Sequence, residues 1–178
     1  YEAAASLAVD GHKWLNVPYD SGVTLVREPD HLRAAMSISA AYLPDAAVRE
    51  PYDYTPECSR RMRATEIWAV LASLGQAGLA DLIETCCRQA SMLAEGLAGA
   101  GYAVLNEVRL NQVMVSFGDD ERTARVIEGL QADGTAWCGG PPWHGRAAMR
   151  ISFSSHATTD ADVAKTLAAI LRVARSNR

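Results

Sequence analysis

The feature that most restricts the fold is a long helical pattern from Ser59 to Ala98 interrupted by two glycines. Ile67, Val70, Leu71 and Leu74 recur at helical spacing and form one apolar stripe. Leu79, Leu82, Ile83, Cys86, Ala90, Leu93 and Leu97 form a second. Gly75 and Gly78 lie between the stripes. A glycine inside a helix costs about 1 kcal/mol against alanine, so the pattern predicts two helices or one bent helix. Gly99 and Gly101 are suitable stops. Beyond Gly101 the pattern changes character. Tyr102 to Val108 and Val113 to Phe117 read as strands, and Asp120 to Ala132 reads as a helix ended by Gly134. From Met149 to Ser154 the residues alternate: Met149, Ile151 and Phe153 face a core, while Arg150, Ser152 and Ser154 share the other face. Thr159 is placed to cap a last helix, with Asp160 and Asp162 favoured in its first turn and an apolar stripe of Val163, Leu167, Ile170, Leu171 and Ala174. The order β-β-α-β-α predicts a small α+β domain. The domain boundary is expected near Gly75 to Gly78, dividing the chain into 1–76 and 77–178.

The amino-terminal part has less regular signals. A small-residue stretch leads to Asp10-Gly11-His12-Lys13-Trp14, and a turn comes next at 17–22. Val23 to Val26 is a short β-branched run that ends before Pro29. Residues 37–58 are rich in Tyr, Pro, Asp and Ser and show neither period; a loop of that length in a compact domain is usually functional, mobile or both.

Composition narrows the function classes. The chain has 178 residues, 49% of them apolar and 21% charged, as in an ordinary globular protein. A net charge of −4 argues against a nucleic-acid or anionic-membrane surface, which needs clustered cations. No uninterrupted apolar run approaches the roughly 20 residues that cross a bilayer. The opening residues lack the basic start and apolar stretch of a secretory signal, so the expected location is the cytoplasm. The chain does not begin with Met, and an upstream portion is expected. Cys58, Cys86, Cys87 and Cys138 fit neither a zinc spacing nor a disulfide scaffold; no metal site is expected, and the adjacent Cys86 and Cys87 read as packing residues in a reducing compartment.

The stretch Asp10-Gly11-His12-Lys13-Trp14-Leu15-Asn16-Val17-Pro18-Tyr19-Asp20 closely resembles the lysine motif of the group II pyridoxal-phosphate-dependent amino-acid decarboxylases. Ser6 stands where that family usually has a serine, seven residues before the lysine; the aspartate that commonly precedes it is Ala5 here. Three further segments are similar in the family's order: Pro56-Glu57-Cys58-Ser59-Arg60-Arg61 running into Ile67-Trp68; Asn111-Gln112-Val113 with Phe117-Gly118; and Gly145-Arg146, Met149 to Ser154 and Thr158-Thr159. Together they cover nearly the whole chain.

The resemblance implies an α/β protein of the pyridoxal-phosphate-dependent transferase fold type I, present in part: the end of the large α/β domain with a mobile loop and connecting helix, then the small α+β carboxy-terminal domain. It implies pyridoxal 5'-phosphate as cofactor, decarboxylation of an L-amino acid to its amine and carbon dioxide, and a homodimer. Lys13 would carry the cofactor as an imine, which requires an amine able to lose its proton. His12 would contact the phosphate, its other reading being a surface or capping imidazole, and Asp10 would lie nearby. A tyrosine on the long loop would donate a proton. Tyr42, Tyr52 and Tyr54 are present, and Tyr52 and Tyr54 lie closest to the family position; the other reading is that they cover apolar surface. Arg150 matches an arginine that meets a substrate or cofactor carboxylate, an alternative being a salt bridge between domains. Arg60 and Arg61 would begin a helix and bind acidic groups.

Family members are more than twice as long, and the partner of the pyridine nitrogen, the histidine that stacks on the ring and most of the phosphate cradle would come from the missing amino-terminal portion. The 178-residue stretch by itself is therefore expected to lack decarboxylase activity and to bind the cofactor poorly. Two rival readings stand. An aminotransferase or aldehyde-forming enzyme of the same fold would use the same lysine, since reaction type depends on which bond stands perpendicular to the ring. A catalytically silent dimerisation or docking domain would not need Lys13 at all.

Overall fold

The computed structural model describes residues 3–38 and 48–177. They divide into two compact units, Tyr1–Gly75 and Gln76–Arg178.

In the first unit, strand β1 (Ser6–Asp10) pairs antiparallel with β2 (Gly22–Val26), in register from Ser6 opposite Val26 to Asp10 opposite Gly22. Only β2 was legible as a strand. Leu7 and Val9 alternate with Ser6, Ala8 and Asp10, but over too few residues to mark a strand alone, and pairing with β2 supplies the rest of the order. Between the strands lies a single helical turn, α1 (Gly11–Trp14), followed by buried Leu15 and Val17. Helix α2 (Pro29–Met36) comes after β2. Pro29 does not close the strand, which ends at Val26, but is the first residue of a helix, where its missing N–H costs nothing. The stretch expected to be an irregular loop contains a 3-10 turn at Pro51–Tyr54. Tyr42, the third tyrosine of that stretch, lies outside the described residues.

Helix α3 (Ala64–Gly99) is broken at Gly75, whose φ of 63° and ψ of −172° are not helical. The bend expected from the glycine pair therefore falls at the first of them. Arg60 and Arg61 precede α3 instead of opening it; its first turn carries Glu66, the charge sign that the helix dipole favours there. Among the described residues α3 is one helix long and apolar enough, by length and composition, to cross a bilayer, which a count of uninterrupted apolar runs overlooked. Its later half supplies Cys86, Ala90, Leu93, Ala94 and Leu97 to the core of the second unit.

That unit contains a three-stranded antiparallel sheet, order β3-β4-β5, made of Ala103–Val104, Gln112–Ser116 and Met149–Ser152. Helices α4 (Asp120–Asp133) and α5 (Asp160–Ser176) complete it. The core joins Val113, Val115, Met149 and Ile151 of the sheet to Val126 and Leu130 of α4 and to Val163, Ile170 and Val173 of α5. Strand β3 is shorter than expected because the Asn106 side chain takes over the pairing: its Oδ1 accepts from the Met114 N–H at 2.8 Å and its Nδ2 donates to Gln112 O at 3.1 Å. Asp119 caps α4 by accepting from the Arg122 N–H, and Gly134 ends it with φ 74°. At α5, Thr159 and Asp162 exchange hydrogen bonds in a capping box, so the cap read from the sequence is present. The segment 139–150 contains a two-residue turn at His144 and Gly145 (φ 48° and 80°), closed by paired hydrogen bonds between Trp143 and Arg146.

Candidate active site

Lys13 stands on α1, at the carboxyl end of β1, and its side chain is 65% exposed. Its Nζ lies 2.5 Å from Asp10 Oδ2, while the other oxygen of Asp10 lies 2.5 Å from His12 Nδ1. One carboxylate thus faces both side chains of the motif. An exposed pair of this kind contributes at most about 1 kcal/mol, so it orients the amine without trapping it. The His12 contact is close but not directed as a hydrogen bond, leaving a buried Nδ1 without a hydrogen-bond partner. The imidazole also packs against the Tyr19 ring, centroids 4.2 Å apart. Beside it lies an open cleft of about 480 Å³ lined by residues 8–10, His12 and residues 20–24.

The turn after α1 is tightly held. The His12 N–H donates to Ser21 O at 3.2 Å. A Cβ at Gly11 would lie 3.1 Å from that same carbonyl oxygen, so the close approach leaves little room for a side chain. Arg63 donates from Nε and Nη2 to the two Asp20 oxygens, each at 3.0 Å. Arg61 pairs with Glu66 and donates to Tyr19 O at 3.3 Å. Arg60 has a longer contact with Glu57, at 3.7 Å. Sequence reasoning anticipated acidic partners for Arg60 and Arg61 but not Arg63, whose role depends on a partner 43 residues away.

The hydrogen bonds from Arg63 lower the Asp20 carboxyl from 3.8 to about 2. A depressed carboxylate stabilises the fold fully above the unfolded value of 3.8, and this contribution is lost as pH falls through about 2. A carboxyl-carbon NMR titration of Asp20 is expected to show a midpoint near that lowered value, returning toward the ordinary aspartate range in Arg63→Ala. An unshifted midpoint in the parent chain would contradict the bidentate pair.

Tyr52 and Tyr54 sit on the 3-10 turn, which Asp53 fastens to α2. Buried Asp53 accepts from Arg33 Nε at 3.2 Å and Ser37 Oγ at 3.1 Å. The Arg49 guanidinium lies over the Tyr54 ring, 4.2 Å from its centroid. Desolvation, reinforced by Asp53 and Glu50, raises the Tyr52 phenol above its ordinary value. Neither Asp53 nor Arg33 stood out in the sequence.

Arg150 belongs to the second unit, on β5, with an exposed side chain and no ion pair among the described residues. Its N–H donates to Gly139 O at 2.8 Å. A Cβ at Gly140 would lie 3.1 Å from that nitrogen, so the 139–140 segment lies flat against this strand.

A helical turn at a strand end thus presents an exposed lysine beside a histidine and an open cleft. Residues 1–117 match the pyridoxal-dependent decarboxylase conserved domain, and the chain belongs to that family. Tyrosine decarboxylase 1 of Narcissus pseudonarcissus is 33% identical over 121 residues, covering 65% of this chain and 23% of the relative. Histidine decarboxylase of Drosophila melanogaster is 28% identical over 179 residues, 97% of this chain and 21% of the relative. The crystal structure of Oryza sativa TDC with PLP and tryptamine superposes with a TM-score of 0.92 at 20% identity, covering 98% of this chain and 39% of that one. The fold is therefore that of the fold type I decarboxylases, in part: the chain spans about a fifth of the length of these two curated relatives.

The residues present fit pyridoxal phosphate. The Lys13 amine is accessible for covalent attachment, His12 borders the cleft with its ring against Tyr19, and the cleft falls in the usual range of about 300–1,000 Å³ for small-ligand sites.

Proposed function

We propose that this chain is the lysine-bearing part of a pyridoxal-phosphate-dependent amino-acid decarboxylase, which converts an L-amino acid to its amine and carbon dioxide. The observation that carries the reading is the exposed Lys13 amine on a one-turn helix at a strand end, with His12 and the cleft beside it. When bound, the cofactor supplies an electron-withdrawing ring that accepts the pair left as carbon dioxide departs. Lys13 attaches it and, when displaced by substrate, is free to accept or return a proton at Nζ. The Asp10 carboxylate, 2.5 Å away, receives the ammonium form and keeps it near the cleft. His12, braced by Tyr19, would contact the cofactor phosphate. Tyr52 or Tyr54, on the 3-10 turn fastened by Asp53, would deliver the proton to the product carbon. Arg150 binds a carboxylate through its planar guanidinium. A homodimer working in the cytoplasm completes the proposal.

The complete protein is expected to release carbon dioxide from at least one member of a panel of aromatic, acidic and basic L-amino acids, with one amine formed per carbon dioxide. Amino-group transfer to a 2-oxo acid without carbon dioxide, or an aldehyde in place of the amine, would overturn the decarboxylase reading and leave another chemistry of the same fold.

A further inference from the structure

We infer that Asp20 and Arg63 form a positioning clamp for the turn that carries His12 and Lys13; the inference rests on the cofactor role proposed for Lys13. Helix α1 has four residues and no side-chain cap. So short a helix has no stability of its own, and its placement must come from outside. The segment 19–21 supplies it from one side. Ser21, 3% exposed, accepts the His12 N–H at its carbonyl; the Tyr19 ring packs on the imidazole; the Ser21 carbonyl closes the space above Gly11.

That segment is itself gripped by residues 61–66. Arg63 binds Asp20 through two parallel hydrogen bonds of 3.0 Å. Arg61 reaches Tyr19 O at 3.3 Å, and Ser21 Oγ donates to Glu66 Oε2 at 3.3 Å. Among these, the Arg63 pair is the one with fork geometry, which fixes direction as well as distance. The load path therefore runs from the chain just before α3, through Asp20, to Ser21 and Tyr19, and then to the backbone and ring of His12. Asp20 also borders the open cleft, whereas Arg63 does not, so the Arg63 variant reads the clamp apart from any direct contact with the cofactor. Exposed ion pairs contribute little to overall stability, so the clamp acts on position more than on folding. Small errors in placing a reacting group are costly: about 1 Å can lower rate a hundredfold.

The test uses the complete protein with Asp20→Asn, Arg63→Lys, the charge-exchanged double variant Asp20→Arg/Arg63→Asp, and Lys13→Ala. Three quantities are measured: the dissociation constant for pyridoxal phosphate, the visible circular dichroism band of the bound cofactor, and Tm without cofactor. Asp20→Asn is expected to weaken cofactor binding about tenfold and flatten the visible band while the cofactor-free Tm changes little. Arg63→Lys keeps the charge but loses the fork and should show a smaller loss in the same direction. The double variant should regain part of the affinity, because Arg61, 3.6 Å from Asp20, opposes an arginine placed there. Parental affinity and an unchanged band in both single variants would overturn the clamp. So would losses that only track the fall in Tm and are not recovered by the exchange. If Asp20→Asn does not fold, Arg63→Lys decides by the same criteria. Lys13→Ala separates the two levels: retention of the lysine-linked cofactor spectrum in it would overturn the cofactor reading itself, whereas its loss alongside unaffected clamp variants would overturn the clamp alone.

Discussion

On the cofactor role proposed for Lys13, Lys13→Ala in the complete protein is expected to abolish the covalently held cofactor and to lower decarboxylation by about a thousandfold or more, because the amine that attaches the cofactor and is displaced by substrate is removed. The effect should be local. Lys13 is 65% exposed and pairs with Asp10 through an i,i+3 contact, so truncation removes little packing. Borohydride treatment followed by peptide mapping should label the parent protein at Lys13 and leave the variant unlabelled, with the two far-ultraviolet circular dichroism spectra superimposable. An Ala variant that retained decarboxylation would remove Lys13 from the mechanism and favour a docking role for this part of the chain.

The second large effect belongs to the other unit. Leu93 is completely buried, within a cluster that includes Val115, Phe117, Met149 and Ile170. Leu93→Ala is expected to destabilise this unit by about 2–5 kcal/mol, the sum of lost transfer energy and a cavity that close packing cannot fill. Urea unfolding monitored by far-ultraviolet circular dichroism measures it. Leu110→Ala, at a position 58% exposed, should change stability by no more than about 0.5 kcal/mol and serves as the comparison. Equal behaviour of the two variants would contradict the packing of this core.

The two units differ in how much could be read in advance. In the second, the 3.6-residue stripe of α5, the alternation in β5, the Thr159 cap and the Gly134 stop are local signals, and each corresponds to a structural feature. Where the reading went astray, a side chain replaced backbone pairing, as Asn106 does at the end of β3. In the first unit β1 has little pattern of its own and exists through pairing with β2, while α2 was hidden because Pro29 is compatible with both a strand end and a helix start. Tyr52 and Tyr54 were visible as residue types; that Asp53 ties their turn to Arg33 and Ser37 was not.

The amino-acid sequence by itself determined the helical arm and its break, the α+β order of the second unit, and the lysine motif that marks the family. These come from periodicity, from the conformational freedom of glycine, and from a run of residue types that can be read in order along the chain. Only the tertiary structure decided what surrounds Lys13. The single turn α1 is too short to hold itself, and the groups that hold it, Asp20 and Arg63, come from positions whose proximity no local rule encodes. The lysine that was plainest in the sequence is thus placed by an ion pair that became visible only in the fold.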